Sequence, residues 1–437
     1  MRYIENQPTS ERADPGVVSV AAWCLLCLYL FVDAVSGAML SQTGGVAPLS
    51  QLWKGLILLL IFLWCSMVSM RLSIAVLALM ALLLAGPLFR FVTSGLLDGL
   101  QRDCTAAIKA LIPALVLIFC EAGRVHEPAI YRLWAPRLLW FSAAAMALNL
   151  GLGLLGFGYT SYGSPESGGI GAIGFFYAGN EVGAAYVVLS AFVLITMWNR
   201  ARSLYLPVAA MLVVAGFVIA TKSAILGALT LAFGVPVVST RGRLWLLGWK
   251  GGVLLSAACV ALVWAVMEVW SVLKLAGLAE RLSSVFAQRG WIGVIFSGRE
   301  KFVADSIQAL WERSTPVEAL FGTGQHTLAL WSGKLSTETD PIDMYLWFGL
   351  PGVAYCAVLY VCYLYIPWRA CADRTNHAAP AILLTNMVLV VLSIVGGHVV
   401  LSGMVGIVWA ALTSLALGGV SVAAAGRGRA HVLRTTS

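Results

Sequence analysis

The chain is a succession of long apolar runs, with its charges gathered between the runs instead of spread along helix faces. A helix needs about 20 apolar residues to cross the hydrocarbon of a bilayer. Runs that qualify begin near Val17, Leu52, Ser73, Cys104, Leu138, Glu181, Leu204, Ser223, Gly252, Ile342, Ala381 and Ser402. They predict an all-α polytopic membrane protein with about 12 transmembrane helices. The first run, Val17 to about Leu40, is longer than a secretory h-region and is followed closely by the next, so it reads as an uncleaved first helix. No fixed-period repeat and no matched pair of Gly/Pro-interrupted helices is visible, which weakens a transporter reading.

The polar stretches give the threading. With the amino terminus in the cytoplasm, the inside segments collect Arg71, then Arg124, Arg132 and Arg137, then Arg200 and Arg202, then Arg241, Arg243 and Lys250, then Arg369 and Arg374, and last Arg427, Arg429 and Arg434. The positive-inside rule then makes both termini cytoplasmic. Two outside segments are too long for simple turns: about Phe157 to Gly179, rich in Gly, Ser and Tyr, and about Lys274 to Pro341. The second carries Trp291, Trp311, Trp331 and amphipathic stretches, so it is expected to be partly helical. The expected division is residues 1–273 for helices 1 to 9, 274–341 for the large loop, 342–424 for helices 10 to 12, and 425–437 for a cytoplasmic tail.

Composition narrows the class. At 60% hydrophobic and 11% charged, against about 25% charged in soluble chains, an ordinary globular protein is excluded. The net charge of +8 is spread over many short loops without a basic stripe, so it reads as topogenic and no nucleic acid is expected as a partner. The nine cysteines fall in or at the ends of apolar runs and read as small buried hydrophobes. The five histidines lack ligand spacing, so no metal is expected, with a carboxylate-only Mg²⁺ site at Glu338 and Asp340 as the lesser alternative.

Candidate chemistry collects on the outer face. Ser297-Gly298-Arg299-Glu300 reads as a helix start with Ser297 as cap and Glu300 closing a capping box, followed by an apolar face of Phe302, Val303, Ile307, Leu310 and Trp311. A cation at Arg299 works against the helix dipole, whereas an anion held between it and the free amides gains from both, which points to a phosphate or diphosphate; the alternative is a surface arginine. Lys222 falls in a short outside hairpin, where its charge needs a partner or snorkels to the interface. Glu181, beside Asn180, opens an apolar run and either complements the helix dipole or touches substrate. Gly322-Thr323-Gly324 precedes Glu338, Asp340 and Asp343, three carboxylates clustered where the chain re-enters the membrane. One of them suffices as base if the leaving group is a diphosphate stabilised by cations; the alternative is a set of salt bridges.

These residues resemble the bacterial O-antigen ligase and polymerase superfamily, membrane glycosyltransferases acting on undecaprenyl-diphosphate-linked sugars. Asn180-Glu181 resembles the family's Asn-Glu at a helix start, and Thr221-Lys222-Ser223 sits where members have Thr-x-Ser-Arg or a close variant. Ser297-Gly298-Arg299 resembles the Ser-Gly-Arg opening the large loop's helix, and Gly322-x-Gly324 the Gly-x-Gly ahead of the catalytic segment. There are two departures. Many members, the ligases especially, have His-Asn ahead of a Gly-x-x-Gly; Gly349-x-x-Gly352 matches, but position 338 is Glu, as in a subset of polymerases. Lys222 replaces arginine, keeping the charge and losing the bidentate grip.

The resemblance implies a polymerase extending a lipid-linked surface polysaccharide at the periplasmic face of the inner membrane, by inverting transfer that uses no cofactor. Arg299, with Lys222 and Arg281, would hold the donor diphosphate, Glu338 would be the general base, and Asp340 would orient it or the sugar. Asn180, Glu181, Asp343, Gly322 and Gly324 would contact substrate. Partners would be the undecaprenyl-diphosphate-linked oligosaccharide, membrane lipids and a chain-length regulator. The rival readings are a ligase passing the glycan to lipid A core, a flippase or exporter, which would need charges along a path through the helices, of which the chain has Arg90, Lys109 and Glu268, and a membrane hydrolase using Glu338 and Asp340.

Overall fold

A computed structural model describes residues 15–43, 49–95, 97–163, 169–241, 286–287, 290, 296 and 298–418. Its elements in chain order are α1 (Pro15–Thr43), α2 (Leu49–Val68), α3 (Met70–Ser94), α4 (Leu97–His126), α5 (Pro128–Leu154), β1 (Tyr159–Tyr162), β2 (Ile170–Gly174), α6 (Gly179–Arg200), α7 (Tyr205–Ile219) and α8 (Lys222–Ser239). They continue with α9 (Arg299–Arg313), α10 (Pro316–Phe321), α11 (Gln325–Ser332), α12 (Asp340–Ala370), α13 (Ala379–Val395) and α14 (Gly403–Ser414). Among the described residues nine helices are long and apolar enough to cross a membrane, and α13 and α14 are two shorter apolar ones. The chain is a helical, multi-pass membrane protein. The apolar run expected near Gly252 lies outside the described residues, as do Ser297 and Arg281.

Burial separates a centre from a lipid-facing rim. α14 is buried along its whole length between α4 and α6. α2, α3 and α7 leave most of their apolar surface outward, as an apolar solvent permits. Because lipid gives apolar side chains no reason to seek each other, interhelical polar contacts carry part of the specificity, at about 0.6 kcal/mol each and up to about 2. Asn386 of α13 accepts from the Trp409 indole at 3.0 Å and donates to Thr413 Oγ1 at 3.0 Å, both on α14. Tyr131 of α5 donates to Ser414 at 2.9 Å. Tyr363 of α12 donates to the Pro113 carbonyl of α4 at 2.9 Å.

α12 is interrupted at Gly349 (φ 64°, ψ −152°). Pro351, lacking an N–H, cannot serve the Trp347 carbonyl four residues back, so that acceptor needs another donor. The loop between α10 and α11 supplies it: Gly324 N–H donates to Trp347 O at 3.1 Å, and Thr323 N–H to Leu346 O at 3.0 Å. Backbone meets backbone here, and a Cβ at Gly349 or Gly322 would overlap the facing chain. The Gly-x-Gly and the Gly349 break are therefore two halves of one joint, which fixes α9–α11 over the bundle.

Among the described residues the long loop departs from the expected details at Trp311. Gly298 precedes α9 in the left-handed region, where φ of 89° favours glycine, and the expected cap at Ser297 lies outside the described residues. A reciprocal capping box occurs at α10, between Thr315 and Glu318. On α9, Leu310 is buried as expected but Trp311 is 71% exposed. The Gly/Ser/Tyr-rich segment forms an antiparallel pair, β1 on β2, with Thr160 opposite Ala172 and Tyr162 opposite Ile170. Asn149 of α5 holds this hairpin, donating to Ile173 O at 2.6 Å and accepting from Phe175 N–H at 2.8 Å.

Candidate functional site

One end of the bundle brings together the start of α6, the α7–α8 turn, the β hairpin, the start of α9, the segment before α12 and the turn between α13 and α14. Ser161 of the hairpin donates to the Ile219 carbonyl at the end of α7, seating β1 over the turn that carries Lys222. Thr221 caps α8, its hydroxyl accepting from Ala224 N–H at 3.2 Å, and so aims Lys222 from the first residue of that helix.

Arg299 opens α9 and closes on Glu338. Its Nε and Nη2 both donate to Oε2, at 2.9 and 2.7 Å, and Nη1 donates to the Val395 carbonyl at 3.3 Å. The arginine is mostly covered (14% exposed) and the glutamate less so (39%), so the pair lies at the surface of the bundle end instead of in the core. Glu338 Oε1 has no hydrogen-bond partner among the described residues. Lys222 lies close enough to feel the Arg299 charge. Tyr162, at the end of β1, lies in the field of both charges: loss of hydration raises its hydroxyl above the usual range, Arg299 pulls it back and Glu338 adds to the rise.

The other two carboxylates are buried and occupied. Asp343, 1% exposed, accepts from Ser336 Oγ (2.6 Å), Thr337 N–H (2.7 Å) and Thr337 Oγ1 (2.8 Å). Ser336 Oγ in turn accepts from Glu338 N–H at 2.9 Å. Asp340, fully buried, accepts the N–H groups of His398 (2.7 Å), Val399 (2.8 Å) and Val400 (2.8 Å) and the Ser393 hydroxyl. Asp340, expected to orient Glu338 or the sugar, has its lone pairs occupied by Ser393 of α13 and by the α13–α14 turn. Gly397 of that turn packs on the Glu338 backbone, where a Cβ would overlap the Glu338 carbonyl. Asp340 and Asp343 therefore position the two strands of chain that hold Glu338.

Glu181, in the first turn of α6, accepts from Ser402, the cap of α14. It also faces a cavity of about 130 Å³ shared with Lys109 and His398. Asn180 is half-buried beside it. Gly322 and Gly324 are committed to the α12 joint, with Gly324 against the Asp103 carboxylate, which leaves them no open surface for a ligand. The structure thus joins Arg299, Glu338 and Lys222, sets Glu181 and Asn180 nearby, and uses Asp340, Asp343, Gly322 and Gly324 as scaffold.

Backbone strain gathers at the same end. Among the described residues four non-glycine residues have positive φ: Ala220, Arg241, Glu338 and His398. A left-handed conformation costs a non-glycine residue about 1–2 kcal/mol, and such costs persist where the surroundings over-determine them, commonly at functional sites. Three of the four flank Lys222, carry the carboxylate held by Arg299, or face the cavity. His398 has no sequence signal, because nothing in the residues around it announces a left-handed histidine. Neither the protein-family models nor the curated proteins contain a match to this chain.

Proposed function

We propose that this chain is a membrane glycosyltransferase, a polymerase that extends a lipid-linked surface polysaccharide by inverting, metal-independent transfer from undecaprenyl diphosphate at the periplasmic face of the inner membrane, with about 12 spans and both termini cytoplasmic. The observation that carries the reading is the direct contact of Arg299 with Glu338, a fixed cation and a carboxylate meeting at the bundle end within the electrostatic reach of Lys222.

The guanidinium places two donors on one carboxylate oxygen, and a diphosphate offers the same fork a more strongly charged partner. Donor binding then takes Arg299 from Glu338 and leaves both carboxylate oxygens open toward the acceptor. The acceptor hydroxyl gives its proton to Glu338 as its oxygen attacks the anomeric carbon from the face opposite the diphosphate. The bond from that carbon to the diphosphate oxygen breaks, and the electron pair leaves with undecaprenyl diphosphate, whose charge Arg299 and Lys222 receive. Ser336, Asp343, Asp340 and Gly397 keep the Glu338 backbone fixed through the exchange.

Reconstitution with a synthetic undecaprenyl-diphosphate oligosaccharide, EDTA present, tests the reading. A ladder of lengthened products is expected. Transfer only after lipid A core is added makes the protein a ligase, and no covalent product under either condition removes the enzymatic reading in favour of transport.

A further inference from the structure

The cavity beside Glu181 holds more chemistry than the transfer step uses. Lys109 sits within the apolar length of α4, where an ionisable residue is costly and marks a site that polar groups or ligand must complete. Across the cavity stands Glu181, with one oxygen committed to Ser402. Among the described residues Lys109 makes no ion pair with it, so cation and anion face one space without closing on each other. Trp347, 4% exposed, walls the same space, and Gln325 and His398 line it with an amide-bearing and an imidazole-bearing side chain.

We infer that this cavity is a second sugar subsite, which takes an uncharged, hydroxyl-rich ring of the acceptor chain while Glu338 handles its reacting hydroxyl; the inference rests on the transferase reading. The lining selects the class. Glu181 repels a phosphate, Lys109 repels a metal cation, and the two together with donors and acceptors in mixed order suit a neutral polyol, each of whose hydroxyls both donates and accepts. The volume of about 130 Å³ accommodates a single ring or a handful of waters, and a site of this polarity does not stay dry. The connection to the reacting centre is covalent and short. Ser336 lines the cavity and holds Glu338 N–H, while His398 lines it and adjoins Gly397, which rests on Glu338.

The test uses the full chain in lipid nanodiscs and the repeat-unit oligosaccharide released from the host cell's surface polysaccharide, tagged with a diazirine. Light should label peptides containing Gln325, Trp347 or His398, and excess untagged oligosaccharide should compete. Gln325→Leu, which removes hydrogen bonds to an uncharged partner, and Trp347→Phe, which reshapes the wall, should each lower labelling about three- to tenfold while undecaprenyl diphosphate binding stays unchanged. Retained diphosphate binding shows that the variants fold. Labelling elsewhere, no labelling because the cavity holds only water, or cavity labelling that neither variant lowers, overturns the subsite. Transfer by the wild type with an unlabelled cavity overturns this inference alone; a labelled cavity without any transfer overturns the transferase reading and keeps the sugar site.

Discussion

Replacing Asp340 with Asn separates positioning from chemistry. The carboxylate is fully buried and accepts three backbone N–H groups and a hydroxyl. An Asn keeps one oxygen, which best occupies the place of Oδ2, where Val399, Val400 and Ser393 donate. Its amide nitrogen then meets the His398 N–H donor to donor. Losing a hydrogen bond to a charged acceptor costs about 1.5–3 kcal/mol, and leaving a buried donor unsatisfied costs about 1–3 more. A local loss of about 3 kcal/mol raises the opening equilibrium of the α13–α14 turn roughly a hundredfold. Hydrogen exchange followed by mass spectrometry should show faster exchange across residues 396–402 in Asp340→Asn, with α4 and α6 unchanged, and glycan transfer should fall with it. Glu338→Gln should lose transfer without altering that exchange. Unchanged exchange at 396–402 in Asp340→Asn would refute the anchoring role.

Further outcomes follow from the same geometry. Gly349→Ala should cut the folded yield sharply in size-exclusion profiles, since φ of 64° with ψ of −152° is open essentially to glycine alone and a Cβ meets the Leu320 carbonyl. Glu318→Ala should destabilise the protein by about 3–5 kcal/mol in thermal unfolding, because it strands Arg90 of α3 and opens the α10 capping box. Lys222→Arg should keep undecaprenyl diphosphate affinity within about threefold, whereas Lys222→Ala should weaken it about tenfold or more in a lipid-binding titration. Partial loss of hydration, the leading influence, raises the hydroxyl of the half-exposed Tyr162, so the ultraviolet titration of wild type minus that of Tyr162→Phe should show one tyrosinate appearing above the ordinary tyrosine range.

The membrane helices were legible because each apolar run is a local signal, and the runs beginning near Val17, Glu181, Ser223 and Ile342 start within two residues of α1, α6, α8 and α12, whereas α5 begins ten residues before the run expected at Leu138. Arg299 at a helix start and the clustering of carboxylates were also local, being matters of spacing. Which carboxylate stays open was not, since Asp340 is distinguished from Glu338 only by the turn at His398–Val400, some sixty residues away in the chain. The Gly322–Gly324 pair reads in sequence like a ligand loop, and only the missing N–H of Pro351 explains why it serves the backbone of α12. The β hairpin escaped notice because its strands are four and five residues long, too short for alternation to register. Lys109 was visible as a charge within a span, but its meeting with Glu181 and His398 depends on three separate helices and turns.

The most direct measurement compares wild type with Glu338→Gln and Arg299→Ala in the same proteoliposomes, following both undecaprenyl diphosphate binding and the rate of glycan transfer. Glu338→Gln should keep the lipid bound and transfer at least about a hundredfold more slowly, the loss expected for a general base, while Arg299→Ala should lose both. Transfer by Glu338→Gln at the wild-type rate, or unweakened lipid binding by Arg299→Ala, would contradict the roles assigned to this pair.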